Sequence, residues 1–137
     1  MSFQRLAVSS GLALIPVLVV FSLASPTRWW GHAITMPSKL VYEALPYLNE
    51  NVDKHPGEAS AFRLRGDAWL ASRTWDRAAD DYTMSLDLDP DNGAVNLNLG
   101  IALINSGRSD DACYYLRKAR SLGVKEATDY LARYCIR

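Results

Sequence analysis

Few residues of this chain have types and spacings that could perform chemistry. Two histidines and two cysteines are present among 137 residues. His32 follows Trp29 and Trp30, and His55 precedes Pro56. Neither histidine has a serine, a cysteine or a carboxylate at a recognised nucleophile or metal-ligand spacing. We therefore predict no catalytic residue, no metal ligand, no cofactor and no small-molecule substrate.

The segment 87–93 carries acids at alternate positions, as a calcium-binding loop does. Gly93, however, falls one place late for such a loop, and its twelfth position is Asn98 instead of a bidentate glutamate. Pro90 also stiffens the middle of the segment. The pattern therefore predicts the end of one helix followed by the N-cap of the next.

Charge and composition narrow the class of protein. Lysines plus arginines number 15, aspartates plus glutamates also number 15, and the formal net charge is zero. A nucleic-acid-binding protein usually shows a clustered basic excess, so no nucleic-acid partner is predicted. With 49% hydrophobic residues the chain is too apolar to be wholly disordered.

An uncharged apolar run extends from Leu6 to Ala24. Its 19 residues would form a helix of about 28 Å, close to the hydrocarbon thickness of a bilayer. Arg5 precedes the run, and paired tryptophans suited to the headgroup region follow it. The predicted anchor residues are Leu6, Leu14, Leu18, Phe21, Trp29 and Trp30.

Residues 1–30 have two interpretations, which the sequence leaves open. One is an uncleaved signal anchor with an aromatic flank, and the other is a cleaved signal peptide. Ser22-Leu23-Ala24 has the small-x-small form of a cleavage site, but the apolar run is longer than the usual signal core. Residues 31–37 form a linker. Both interpretations place the rest of the chain on the periplasmic or exoplasmic side. With an anchor the protein would be a single-pass membrane protein, and with a cleaved signal peptide it would be periplasmic or secreted.

The chain after the linker repeats with a period of 34 residues. An internal period of this length indicates stacked supersecondary units. The recurring positions are Ala44, Ala78 and Ala112; Leu48, Tyr82 and Leu116; Gly66 and Gly100; and Pro56 and Pro90.

This pattern resembles the tetratricopeptide repeat (TPR), a 34-residue helical hairpin with the form W-x2-L-G-x2-Y, then A-x3-F, then P. One unit reads Phe62-x2-Arg65-Gly66-x2-Trp69, then Ala78-x3-Tyr82, then Pro90. The next reads Asn96-x2-Leu99-Gly100-x2-Leu103, then Ala112-x3-Leu116. The resemblance covers about residues 37–137, and Arg65 and Asn96 depart from it.

The resemblance implies an all-α fold, a short TPR-like solenoid over residues 38–137. It would consist of a half repeat, two full repeats and a capping helix, behind the N-terminal membrane or signal helix. Predicted helices span 38–52, 58–71, 75–88, 92–105, 109–121 and 125–135. Because about three repeats are the usual minimum for stability, we expect an edge that another protein completes.

In TPR folds the first helices of the repeats line a surface that binds peptides or helices. The resemblance places a partner groove at Arg63, Asp67, Leu70, Leu97, Asn98, Ile101 and Asn105. Some family members clamp a carboxylate there, and Arg63, Asn98 and Lys125 match such places, whereas Asp67 and Asp129 would repel it. Leu97, Ile101 and Ile104 have the alternative role of core residues.

The two cysteines gain meaning within this fold. Cys113 and Cys135 are equidistant from the predicted turn near Gly123, so they would lie level on an antiparallel hairpin. They either form a disulfide, in an oxidising compartment, or are two small buried thiols.

The sequence thus predicts a non-enzymatic interaction protein, an anchored scaffold or assembly subunit of a larger membrane complex. The alternatives are a soluble carrier of peptide tails or exported clients, and a regulator acting through the basic face of Arg117, Lys118 and Arg120.

Overall fold

A computed structural model of the chain describes residues 38–135, and they form helices without a strand. We number the helices α1 (Ser38–Lys54), α2 (Ala59–Ala71), α3 (Trp75–Leu88), α4 (Gly93–Asn105), α5 (Ser109–Ser121) and α6 (Ala127–Tyr134). Every described helix begins and ends within two residues of its predicted bounds. The prediction of a TPR-like all-α solenoid is confirmed for this part of the chain.

Each helix packs against its neighbours in sequence. The most extensive contacts join α2 to α3 and α4 to α5, the two helices of each full repeat. Contacts between α3 and α4 join the two repeats, while α1 packs on α2 and α6 packs on α5. This order of contacts is that of stacked helical hairpins, in which each unit meets only the next.

In both hairpins the two helices approach closely at a glycine, which occupies the same repeat position in each. A Cβ atom added at Gly66 would lie 2.9 Å from the ring of Tyr82, and one at Gly100 would lie 2.7 Å from Cγ of Leu116. Tyr82 and Leu116 are themselves fully buried. The absence of a side chain on the first helix therefore allows the second to approach and to bury a large residue.

The main core runs through both repeats and reaches α1 and α6. Its buried members are Val41, Leu45, Trp69, Ala78, Ala79, Tyr82, Leu86, Val95, Leu99, Ala102, Leu103, Ala112, Leu116 and Leu131. A smaller cluster of Val52, Ala61 and Phe62 lies where α1 turns into α2.

The two residues that depart from the repeat pattern both have polar partners. Arg65 replaces the usual leucine, and its Nε and Nη2 atoms donate to the Asp81 carboxylate at 2.9 and 2.7 Å. Asp81 is 5% exposed, and its hydrogen bond raises the pKa of Arg65. Asn96 replaces the usual tryptophan, and its amide donates to the carbonyl oxygens of Asn92 and Pro90 at 2.9 and 3.3 Å.

A disulfide joins Cys113 on α5 to Cys135, directly after α6, with their Cα atoms 5.7 Å apart. It closes a loop with a sequence separation of 22 residues. In the chain-entropy model, a loop of this size stabilises the fold by about 3 kcal/mol. The short helix α6 buries just Ala127 and Leu131, so the covalent link adds to a small contact.

Within residues 38–135, no helix combines the length and the apolar character needed to cross a bilayer. The predicted anchor, its tryptophan flank and the linker 31–37 lie outside the described residues.

Glycine at position 100 is predicted to be required by the fold. Gly100→Ala should lower the free energy of unfolding by about 1–2 kcal/mol, because overpacking against Leu116 exceeds the gain in helix propensity. Gly57→Ala is the control, since an added Cβ there meets nothing within 4 Å. Urea unfolding of both variants measures the difference, and equal stabilities would contradict the role of Gly100.

Candidate functional site

The polar part of the predicted groove is organised around Asp67. One carboxylate oxygen pairs with Nη1 of Arg63 at 3.0 Å on the same helix. The other accepts the Tyr82 hydroxyl at 2.7 Å and the Asn98 amide at 3.3 Å. Asp67 therefore ties together α2, α3 and α4, and the structure brings the predicted residues Arg63, Asp67 and Asn98 into one cluster.

This cluster satisfies its own charges. The side chains of Arg63 and Asp67 are 38% and 37% exposed and form an ion pair. The Asn98 amide points to Asp67 and to the Tyr82 oxygen, the latter at 3.5 Å. Arg63 and Asn98, two of the three residues that matched a carboxylate clamp, thus already bind a carboxylate of the chain itself.

The remaining predicted groove residues separate into two kinds. Leu70 and Leu97 are half-buried and pack against the main core, as does Ile104, in agreement with the alternative of a core role for Leu97 and Ile104. Ile101 is half-buried. Asn105 is exposed, and its amide donates to the Ile101 carbonyl at 2.8 Å. The predicted groove residues on α2 and α4 therefore offer a partner little free charge.

A second surface, which we call the open edge, lies on α1 and was not singled out residue by residue from the sequence. It comprises Ala44, Tyr47, Leu48 and Asn51. In the next repeat, 34 residues on, the equivalent positions are all buried: Ala78, Asp81, Tyr82 and Ser85. On α1, Tyr47 is 75% exposed, and none of the four residues of the open edge is buried.

The open edge continues to the start of α1, where Leu40 is 52% exposed. Its signal in the sequence is the half repeat itself, since Ala44 and Leu48 match a second helix without a matching first one. Solenoid units leave an apolar face uncovered unless a neighbour stacks on it.

The opposite side of α1 borders a cleft of about 450 Å³ with α2 and α3. Tyr42 and Asn49 line it together with Trp69, over whose ring the guanidinium of Arg77 lies at 4.7 Å. Asn49 also accepts a hydrogen bond from Arg65 at 3.1 Å. Among residues 38–135, no group of three histidine, cysteine or acidic side chains could hold a metal ion.

Burial raises the pKa of Tyr82 above its ordinary value, and the neighbouring Asp67 carboxylate raises it further. Because the folded-state pKa is raised, the phenol stays neutral in the fold after it has begun to ionise in the unfolded chain. The contribution of Tyr82 to stability is therefore complete below the ordinary tyrosine pKa of 10.0 and is lost as the pH rises above it.

Tyr82→Phe is predicted to reduce this alkaline loss of stability. Between about pH 9 and about pH 11 the free energy of unfolding should fall less steeply than in the parent, by up to about 1.4 kcal/mol per pH unit. Urea unfolding across that range measures the slope, with Tyr114→Phe as an exposed control. An unchanged slope in the Tyr82 variant would contradict the buried, neutral phenol.

A comparison with curated proteins finds no match to the chain. A comparison with family models finds the tetratricopeptide repeat, matched over residues 43–93 and 75–130. The two matches overlap and together extend over residues 43–130, well beyond half of the 137 residues. They contain the complete hairpins α2–α3 and α4–α5, most of α1 and the first part of α6. The chain therefore belongs to the tetratricopeptide-repeat family.

Proposed function

We propose that the chain is a non-catalytic docking subunit of a membrane protein complex, which binds its partner at the open edge. Family membership supports a role in protein–protein interaction. The open edge is the observation that carries the proposal, because it leaves Tyr47 exposed and Leu48 half-exposed at positions that the next repeat buries. Tyrosine is among the residues enriched at protein interfaces.

The open edge is favoured over the groove on α2 and α4 for a physical reason. In the groove, Arg63, Asp67 and Asn98 already satisfy one another, and a partner would have to break those bonds to use them. Leu70 and Leu97 already contribute to the core. At the open edge, covering Tyr47 and Leu48 removes apolar surface from water without such a loss.

The cover that fits the open edge is a helix from a partner. In the full repeats the first helix of the same repeat covers this face, joined to the second by a three-residue turn at 72–74. The equivalent residues 38–40 are the first turn of α1. Because residues 38–40 are already helical, they do not form the short turn that joins the two helices of a full repeat.

The membrane part of the proposal rests on the uncharged run from Leu6 to Ala24 and on Trp29 and Trp30. An anchor confines both partners to one surface and so raises their effective concentration. A weak helix-on-helix contact at the open edge then becomes sufficient for assembly. The alternative, favoured by the small residues Ser22 and Ala24, is a soluble carrier released by cleavage.

Intact mass distinguishes the anchored subunit from the carrier. The protein isolated from native membranes in mild detergent should retain residues 1–24, whereas a mass beginning at Ser25 would replace the anchor with the carrier. Alkylation before reduction should modify neither Cys113 nor Cys135, and alkylation after reduction should modify both. Two reactive thiols before reduction would exclude the disulfide in the isolated protein and the oxidising compartment inferred from it.

Site-specific photocrosslinking tests the open edge. With p-benzoylphenylalanine at position 47, the chain in native membranes should form an adduct with one amphipathic segment of one partner. The same probe at position 114 is the matched control, since Tyr114 is 61% exposed but lies on α5.

A synthetic peptide of the crosslinked segment should then bind the purified full chain. Tyr47→Glu should abolish this binding, because a buried charge would face the peptide's apolar side, and Tyr114→Glu should leave it unchanged. Equal adducts at both positions, or a peptide that binds the Tyr47→Glu variant normally, would overturn docking at the open edge.

A further inference from the structure

A cleft of about 350 Å³ lies between α5 and α6, at the other end of the solenoid from α1. Arg117 and Arg120 of α5 form one wall, and Leu131 of α6, which is buried apart from 8% of its surface, contributes apolar surface. The remaining lining residues are Thr128, Ala132 and Cys135. The cleft thus combines two cations, one hydroxyl and a small apolar area.

The two arginines are uncompensated among the described residues. Both are exposed, and neither forms an ion pair with a described carboxylate. Their neighbour Lys118, which the sequence grouped with them as one basic face, instead pairs with Asp91 at 3.2 Å. Like charges three residues apart on a helix repel each other, so an anion between them would be stabilising.

The disulfide shapes this cleft. Cys113, Arg117 and Arg120 follow one another at helical spacing, on the same face of α5. Cys135 is both the disulfide partner of Cys113 and a wall of the cleft. The disulfide therefore holds the apolar surface of α6 opposite the two guanidinium groups. Because α6 is already held in place, a ligand loses less binding free energy to ordering the cleft.

We propose that this cleft binds a short acidic segment of a protein partner. A glutamate or aspartate carboxylate would lie between Arg117 and Arg120, since guanidinium groups donate paired hydrogen bonds to carboxylates. An adjacent apolar side chain would rest on Leu131. Two cations around a small apolar recess fit a peptide better than a lipid surface, whose recognition usually needs four or more basic residues.

The inference goes beyond docking at the open edge, because it concerns a separate surface and names the chemistry of its ligand. The two proposals use different residues, so their tests fail independently.

Titration of the ¹⁵N-labelled full chain in mild detergent tests the cleft. The probe is an acetylated, amidated peptide in which two glutamates flank a leucine, compared with the same peptide carrying glutamines. The glutamate peptide should shift the amide resonances of Thr128, Leu131 and Ala132 in a saturable way, and raised salt should weaken it. The glutamine peptide should bind at least about tenfold more weakly.

Paired variants provide the control for total charge. Arg117→Gln with Arg120→Gln should weaken binding of the glutamate peptide at least about tenfold. Arg73→Gln with Arg133→Gln removes two exposed arginines outside the cleft and should leave binding unchanged. Unaltered resonances elsewhere in each spectrum would show that the fold is retained.

Several results would overturn the proposal. One is equal binding of the two peptides, or equal binding by the Arg117/Arg120 double variant and the parent. Another is a saturable shift of the same resonances by inorganic sulfate at concentrations as low as those of the peptide. The same shift by phosphatidylglycerol nanodiscs without peptide, at equally low concentrations, would also overturn it. Shifts confined to other parts of the chain would also contradict it.

Discussion

The contact between Tyr82 and Gly66 determines much of the arrangement described here. Because Gly66 has no side chain, the ring of Tyr82 lies against the backbone of α2 and is fully buried. A ring in that position carries its hydroxyl to Asp67, where it donates a hydrogen bond of 2.7 Å. Asn98 of α4 donates to the same carboxylate oxygen. Tyr82 therefore contributes both to the packing of α2 on α3 and, through Asp67, to the contact between the first full repeat and the second.

The second full repeat solves the same packing problem without a polar group. Leu116 replaces Tyr82 at the equivalent position and meets Gly100 in the same way. The polar substitution of this repeat lies elsewhere, at Asn96, whose amide closes the turn after Pro90. Each repeat thus tolerates its polar substitution because an acceptor within hydrogen-bond distance satisfies it, as buried polar groups generally require.

The period of 34 residues and the helix signals were sufficient to predict the fold, because the period is visible as a recurrence of residue types and each helix is encoded by residues close in sequence. The pairing of Arg65 with Asp81 was not predicted, since it joins residues 16 apart on two helices and depends on how each helix is rotated. Without Arg65, Asp81 would be a buried charge without a countercharge, which is strongly destabilising. The predicted groove residues lie on α2 and α4, but a list of residue types could not show that Asp67 would bind Arg63 and Asn98 of the same chain.

The two ends of the described solenoid are stabilised to different degrees. At the α6 end, burial of Ala127 and Leu131 is supplemented by a disulfide, so this end is held without a partner. At the α1 end, Pro46 lies inside the helix and removes one backbone hydrogen bond. Among the described residues, no helix covers the face containing Tyr47 and Leu48 as α2 covers its equivalents on α3. A partner that binds this face would stabilise the folded chain by mass action. The stability of a repeat array is approximately a sum of repeat and nearest-neighbour terms, so this partner would mainly stabilise α1 and the hairpin that α1 contacts. The disulfide therefore stabilises the α6 end of the solenoid without a partner, while the open edge on α1 stays available for binding.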